Sequence, residues 1–488
     1  MDDRSAAIAA HDADVARDLA RLNYPPNNWM PATYAPDGRP MLDVLVVGAG
    51  MCGQTAAFAL LREGVRHLRV IDSAPAGLEG PWGTFARMPT LRSPKHINGP
   101  DLGIPSLTFR AWFSARHGEA TWDALYKIDR LDWLRYLLWV RQIVGVPVEN
   151  GVRLRSLTLV PGGVQAELEH ADRAETVVAR RVVLALGRDG SGEARRLPFP
   201  SFHSDSADAR ARVFHSSDPI DFSALRGKHV AMLGAGSSAF DNAGTALEAG
   251  ASSVTMYARR PHLPQVNKSK WSVFSGFMKG YAGLSDAQRW RFYTYILAQQ
   301  APPPHESVLR CQKHAGFSIR FSTPWRDLTA DHTGVAITTD HGVTRYDAAI
   351  LATGFAVDLP ARAELAALRP HIAVWRDRVS TDEATRYAEA ARFPYLGPGF
   401  ELQENVPGSA PDIDRIHVFN WGSTMSHGAL AGDIPGLATG ALRLAEGVVR
   451  RLFAEDAERH YEALAAFEDP ELLPTDYFVP REARSTRA

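Results

Sequence analysis

Short apolar runs, each ended by glycine or a charge, recur along the chain from residue 41 onward. They are LDVLVV (42–47), RHLRVID (66–72), RRVVLALG (180–187), KHVAMLG (228–234), SSVTMYA (252–258) and AAILATG (348–354). Their length and their content of Val, Leu and Ile predict strands buried on both faces. Helical patterns alternate with them, which predicts an α/β fold with parallel sheets. Ahead of this region, residues 6–22 predict one amphipathic helix, and NYPPNNWMPATYAPDGRP (23–40) reads as a connector, so that 1–40 form an N-terminal arm. Between 261 and 324 the α/β rhythm lapses into a segment rich in aromatic and polar residues, punctuated by APPPH at 301–305. The tail, 473–488, is polar and is expected to fray or drape over the surface.

One stretch occurs twice. The first copy, DVLVVGAGMCGQTAAFALLREGVRHLRVID (43–72), runs from a strand through Gly48, Gly50, Met51, Cys52 and Gly53 into a helix and a second strand ending at Asp72. The second, HVAMLGAGSSAFDNAGTALEAGASSVTMYARR (229–260), places Gly234, Gly236, Ser237, Ser238 and Ala239 at the matching positions. Each small residue in GxGxxG has its own task. The first Gly permits the tight turn, the second lets a pyrophosphate approach the backbone, and the third lets the helix pack on the sheet, while the helix N-terminus presents unpaired N–H groups. Both copies follow a predicted strand and open a predicted helix, which is the context the motif requires. Asp72 stands 24 residues after Gly48, where a carboxylate accepts from ribose hydroxyls. The same offset from Gly234 reaches Ala258, followed by Arg259 and Arg260, a pair suited to a 2′-phosphate. The first turn thus suits FAD or NAD, and the second NADP.

At 488 residues the chain exceeds what one core supports. Its 54 Lys and Arg against 55 Asp and Glu give a net charge of −1, which argues against a nucleic-acid or anionic-membrane surface. The longest suggestive stretch for a bilayer, LDWLRYLLWVRQIVGV, is interrupted by Arg135 and Arg141. The polar, acidic first residues do not read as a signal peptide, so a cytoplasmic location is expected. The two cysteines, Cys52 and Cys311, exclude a disulfide scaffold, and the lack of any CxxC excludes a dithiol reductase. Cys311, His314 and His305 have no second ligand pair, so no metal is expected. GSSAF (236–240) belongs to a dinucleotide helix and is not a nucleophile elbow. Lys268 and Lys270 read as surface residues. The aromatics Trp271, Phe274, Phe277, Trp290, Phe292, Tyr293 and Tyr295 suit either a pocket roof or core packing.

Two dinucleotide folds in one chain, the second inserted in the first, resemble the flavin-containing, NADPH-dependent monooxygenases, a grouping that includes amine N-hydroxylases and Baeyer–Villiger enzymes. The likeness is carried by GAGMCG with Asp72, GPWGTFARMPTLRSPK (80–95), GAGSSAFDNA with Arg259 and Arg260, and AILATGF (349–355), and it covers roughly 41–450. Where the family's FxGxxxH stretch usually stands, this chain has VFHSSDPIDFSALRGKH, with Phe214, His215 and Ser216. The resemblance implies an FAD-binding domain from 41–220 and 346–472, into which an NADPH-binding domain, 221–345, is inserted. It implies that Ser73, Trp82 and Arg92 join the first turn in holding FAD, and that Thr353 and Gly354 lie in the linker strand returning from the NADPH domain. NWGSTMSHGALAGDIPGLATGALRLAEGVVRRLF (420–453) resembles the family's GD segment, with Gly432 and Asp433 at the ribityl chain and a helix N-terminus facing the flavin. LRSPKHINGPDLGIPSLTFRAWF is closer to the N-hydroxylase pattern, which puts Lys95 in the cofactor cleft; Asn98 resembles the active-site Asn of small flavin monooxygenases, and His96 lies between them.

The activity so implied is a single-component monooxygenase. NADPH reduces FAD, O2 adds to form a C4a-(hydro)peroxyflavin, and a small soft nucleophile is oxygenated, with N-hydroxylation of an amine preferred over S-oxidation. Lys95, Asn98 and His96 are the candidate polar groups, although a loop under FAD with no catalytic role explains them equally. A Baeyer–Villiger oxygenase is the alternative, with Arg92 or Lys95 as its cation. An NADPH oxidase or a redox-sensing flavoprotein is another, and the short 1–40 arm offers a sensor little output domain. The expected partners are a small-molecule substrate and O2, without nucleic acid or membrane, and a homo-oligomer is left open.

Overall fold

The computed structural model describes residues 3–472 and 476–477, so the expectation for the rest of the 473–488 tail lies outside the described residues. The arm begins as a helix, Asp3–Arg21, whose buried stripe His11, Val15 and Leu19 follows the i, i+4 rule. This helix lies against helix Phe109–His117. The connector then straps the first unit: Tyr24 Oη donates to the Val144 carbonyl at 2.6 Å, and Trp29 Nε1 to the Glu63 carbonyl at 2.8 Å.

Strands β1 (Leu42–Val47), β2 (Leu68–Asp72), β3 (Val148–Asn150), β4 (Arg153–Val160), β5 (Gly163–Glu169) and β6 (Ala174–Leu184) build the first sheet, with β7 (Gly192–Ala194) just beyond it. β8 (Val213–His215), β9 (His229–Leu233), β10 (Ser253–Tyr257) and β11 (Phe317–Arg320) follow, then a meander of β12 (Asp327–Asp331), β13 (Gly334–Thr339) and β14 (Gly342–Tyr346). β15 (Ala348–Leu351), β16 (Phe355–Val357) and β17 (Ile416–Val418) complete the strands. In the first sheet the parallel order is β3-β2-β1-β6-β17, while β5 pairs antiparallel with the leading half of β6 and β4 pairs antiparallel with β5. The second sheet is parallel throughout, in the order β11-β10-β9-β15-β8. Both units therefore share one plan, a five-stranded parallel sheet accompanied by an antiparallel meander. This is the α/β architecture with two Rossmann-like units that the sequence predicts.

The second sheet takes in β8 and β15, so by strand pairing the second unit is wider than the 221–345 interval. The chain crosses between units twice, after β6 and after β15, and the crossing strands β7 and β16 pair antiparallel. The 261–324 segment is divided between the units. Phe277, Tyr281, Trp290 and Tyr293 share a core with Trp375, Phe393 and Met425 of the first unit, whereas helix His305–Gln312 packs on the second unit's first helix, Ser237–Glu248. There Cys311 is fully buried and donates its thiol to the Phe240 carbonyl.

The N-terminal edge of the first sheet is ionic. Arg180 and Arg181, both buried in β6, meet Asp43, Glu455 and Asp456. Arg415 also reaches Glu455, at 2.8 Å, so the end of helix Leu437–Glu455 is anchored there. The opposite edge, with the glycine turns, carries the candidate chemistry. Among the described residues no helix is long and apolar enough to cross a membrane.

A two-turn candidate active site

Gly48 adopts φ +97°, and a Cβ there would stand 2.6 Å from the Ala185 carbonyl oxygen. At Gly53 a Cβ would stand 1.7 Å from the Gly48 oxygen, so that only glycine lets helix Met51–Arg62 close on its own turn. Gly50 caps this helix without any side-chain hydrogen bond, leaving its leading N–H groups for an anion. Asp72 is fixed by two backbone donors, Ala49 N at 2.7 Å and Ala74 N at 2.8 Å. Its remaining lone pairs suit ribose hydroxyls. Ser73, the next residue, is exposed. Cys52 is buried in this turn, and its thiol is pushed up to about 12, chiefly by burial and then by the Asp433 carboxylate, which makes it inert packing.

That influence also locates the GD turn, which the fold brings to the first helix N-terminus from 380 residues along the chain. Gly432 needs its positive φ of +132°, with the backbone of Trp421 at 3.4 Å from a Cβ there. Asp433 pairs with Arg188 at 3.2 Å, and the Arg188 guanidinium lies 3.7 Å from the centre of the Trp421 ring. Sequence reasoning missed Arg188. A signal for it was present: Arg188 follows LALG (184–187), the counterpart of LATG (351–354).

The second turn repeats the first. Gly234 has φ +114°, and a Cβ would stand 2.6 Å from the Ala352 carbonyl oxygen, the place taken by Ala185 in the first unit. Ala239 is fully buried, so this turn already accommodates a Cβ at its third position. Gly236 caps helix Ser237–Glu248 without a side-chain bond, and both Gly236 and Ser238 are exposed while Ser237 is partly so. Arg259 is exposed and Arg260 half-buried, and neither guanidinium has a carboxylate partner among the described residues. Arg320 joins them because β10 and β11 pair: Ala258 N donates to the Arg320 carbonyl at 2.9 Å. The Arg320 guanidinium lies 5.5 Å from the centre of the Tyr257 ring, and three arginines at one strand edge have the chemistry that an anion needs.

Several residues tie the units together. Arg92 reaches across to Asp241 at 2.8 Å rather than to the first turn, and Ser307 Oγ holds the other Asp241 oxygen at 2.7 Å. Lys127 pairs with Glu306 at 3.0 Å. Thr353 donates its hydroxyl to the Arg195 carbonyl, and the Gly354 carbonyl accepts from His215 Nε2 at 3.0 Å. Burial lowers the His215 pKa, so the ring stays neutral as a clasp on the crossover. His215 thus has a structural use in the stretch that departs from FxGxxxH.

Of the three candidate polar groups, Lys95 and His96 both meet the Trp122 ring. Lys95 Nζ donates to the carbonyls of Trp122 at 2.6 Å and Asp123 at 3.1 Å and sits 4.9 Å from the Trp122 ring centre. His96 meets the same ring edge-on at 5.7 Å, while Asn98 is exposed. Trp82 packs edge-on to Trp133, its carbonyl accepts from Arg130, and its buried indole N–H has no partner among the described residues. Gly80, from the same segment, covers the first turn: a Cβ on Gly50 would meet it at 3.6 Å.

A family model for FAD-NAD(P)-binding proteins matches residues 45–189. A FAD-dependent urate hydroxylase of Xanthomonas campestris pv. campestris is 38% identical over 469 residues, 96% of this chain and 98% of that protein. The chain belongs to the flavin-dependent monooxygenases. FAD is the cofactor of this monooxygenase, the matched model is one of FAD- and NAD(P)-binding proteins, and a small molecule and O2 fit as its reactants. Solved structures share the fold. Ornithine hydroxylase of Pseudomonas aeruginosa superposes with a TM-score of 0.66 at 17% identity, covering 84% of this chain and all of that one. L-lysine 6-monooxygenase of Pseudomonas syringae gives 0.60 at 17%, covering 84% and 99%.

Proposed function

We propose that this monooxygenase hydroxylates a planar, electron-rich nitrogen heterocycle of the urate type. FAD lies on the 48–53 turn and NADPH on the 234–239 turn. The observation that carries the reading is the 38% identity to a urate hydroxylase over nearly the whole of both chains, which spans both turns and the GD segment. N-hydroxylation of an amine has less support, because the amine hydroxylases share the fold at only 17% identity, and Lys95 is already committed to two carbonyls.

When bound and reduced, FAD supplies the oxygen activation. The protein's residues bind and shield. Asp72 takes the adenosine ribose, and the unpaired N–H groups after Gly50 take the pyrophosphate. Asp433, held by Arg188, accepts from the ribityl chain. Arg259, Arg260 and Arg320 select the 2′-phosphate of NADPH. Trp82 and Tyr293 wall the site against water; burial pushes the Tyr293 hydroxyl well up, and the Asp433 carboxylate adds to this.

The test uses the purified yellow holoenzyme with NADPH, isotopically labelled O2 and urate. The expected result is urate-dependent NADPH oxidation, loss of urate absorbance in the same stoichiometry, and one labelled oxygen in the product. Release of H2O2 at a rate that urate does not change sinks the proposal in favour of an oxidase. Stimulation by amines or by cyclic ketones instead assigns N-hydroxylation or Baeyer–Villiger chemistry.

A further inference from the structure

Helix Asp286–Gln299 has two working faces. One faces the GD turn: Tyr293 lies beside Asp433 and Gly428, and Arg289 donates to the Ser426 carbonyl at 3.1 Å. The other, carrying Trp290, Arg291 and Tyr295, lines an open cleft of about 640 Å³ whose far wall is formed by residues 378–387. The helix itself therefore separates this cleft from the flavin side.

The cleft holds three cations and one acid. Arg291 stands on the near wall, and Arg378 and Arg386 on the far one. None of the three has a carboxylate partner among the described residues, although exposed arginines elsewhere do, as in Arg326–Asp340 and Arg345–Asp331, both within 2.8 Å. Among the described residues the one carboxylate in the lining, Glu383, is turned instead to Trp290 Nε1, from which it accepts at 2.9 Å. Two of the guanidiniums rest against aromatic faces, Arg378 at 4.5 Å from the Tyr395 ring centre and Arg386 at 5.2 Å from that of Tyr387. Cation–π contact of this kind holds a guanidinium in place while leaving its N–H edge free to bind an anion. Tyr295, about half exposed, adds a further aromatic surface on the near wall. Three cations against one carboxylate leave the cleft with an excess of positive charge, and a bound anion relieves the repulsion among them. The volume suits a ligand of small-molecule size.

We propose that this cleft is a second ligand site, separate from both cofactors, for a planar heteroaromatic dianion of nucleoside monophosphate size. Its phosphate is held by Arg291, Arg378 and Arg386, and its ring by the exposed face of Tyr295. Such a ligand presses on the helix that touches the GD turn from the other side.

Adenosine 5′-monophosphate serves as the probe, titrated calorimetrically into FAD-loaded enzyme with NADP+ saturating so that both dinucleotide sites are closed. The expected result is one saturable site, competed by inorganic pyrophosphate and hardly at all by adenosine. Affinity falls at least tenfold in Arg378→Ala/Arg386→Ala and, independently, in Arg291→Gln on the opposite wall, while Arg259→Ala/Arg260→Ala binds the probe as the unaltered protein does. These three arginines are exposed, and unchanged flavin content shows that the variants fold. Absence of saturable binding to the unaltered protein in the millimolar range overturns the site. So does equal binding by the cleft variants, and so does loss of binding in Arg259→Ala/Arg260→Ala, which moves the probe to the NADPH turn.

Discussion

At the first glycine turn a Cβ on Gly50 would meet Gly80 at 3.6 Å, whereas at the second a Cβ on Gly236 would meet nothing within 4 Å. The helix behind the first turn is buried from Met51 to Leu61; the helix behind the second begins with Gly236 and Ser238 exposed. The first turn has a carboxylate held by two backbone donors, and the second has arginines without a carboxylate partner among the described residues. One backbone plan has therefore been finished in two ways. A covered turn suits a cofactor that stays through many turnovers, and an open one suits a dinucleotide that arrives and leaves in each cycle.

The largest expected effect separates the two third positions. Gly53→Ala puts a methyl 1.7 Å from the Gly48 oxygen, a backbone clash that costs more than about 4 kcal/mol. The protein is expected to purify without flavin, if it folds, although Ala239 already fills the equivalent place in the second unit. A full flavin-to-protein ratio in Gly53→Ala breaks the comparison at its root.

Acid comes next. His417 in β17 and His427 ahead of the GD turn are fully buried, and burial, reinforced by Arg181 for His417 and Arg443 for His427, lowers each pKa to about 3. Unfolded, each titrates near 6.5. Their contribution to stability is thus complete above about pH 6.5 and is lost as pH falls from there toward 3. At pH 5 the loss is about 2 kcal/mol for each. Flavin fluorescence is expected to report release from the first unit as thermal unfolding moves down between pH 7 and 5. A flat profile shows that these imidazoles are not held neutral.

Arg259→Ala/Arg260→Ala is expected to raise the Michaelis constant for NADPH about 10- to 100-fold, the equivalent of roughly 1.5–3 kcal/mol of charge-assisted hydrogen bonding. The constant for NADH and the flavin content should not move. Equal effects on both nucleotides remove the 2′-phosphate role. Smallest of all, Gly236→Ala is expected to leave the melting temperature within a degree or two, about 0.5 kcal/mol or less, while raising the NADPH constant several-fold, because its methyl occupies the space where a pyrophosphate approaches. A fall in melting temperature instead shows that the second turn is as crowded as the first.

Much of this site was legible in short stretches. The spacing of Gly48, Gly50 and Gly53, its echo at Gly234, Gly236 and Ala239, the offset to Asp72 and to Arg259, and the GD segment are local patterns. A tight turn and a close phosphate contact constrain residues only a few positions apart. The fold class followed from the same periodicity. What pattern could not place were partners distant in sequence. Arg320 joins Arg259 and Arg260 through the pairing of β10 with β11, and Arg92 is drawn to Asp241 on the other unit. Lys95 has the chemistry of an active-site group, yet its ammonium is taken up by the end of a neighbouring helix. The aromatic segment resolved by position: Phe277, Tyr281, Trp290 and Tyr293 became core of the first unit, while Trp271, Phe274 and Tyr295 stayed exposed.

The chain by itself determined two glycine turns, their order and the sign of the charge at each, because backbone sterics and helix termini act over a handful of residues. Only the tertiary structure decided which turn is roofed and which is open, where the chain crosses between the units, and that LALG and LATG press on the two turns in the same way. Those outcomes depend on which strands lie side by side and on what segment passes overhead. Packing between segments from about thirty to more than a hundred residues apart settles that, and no local spacing records it.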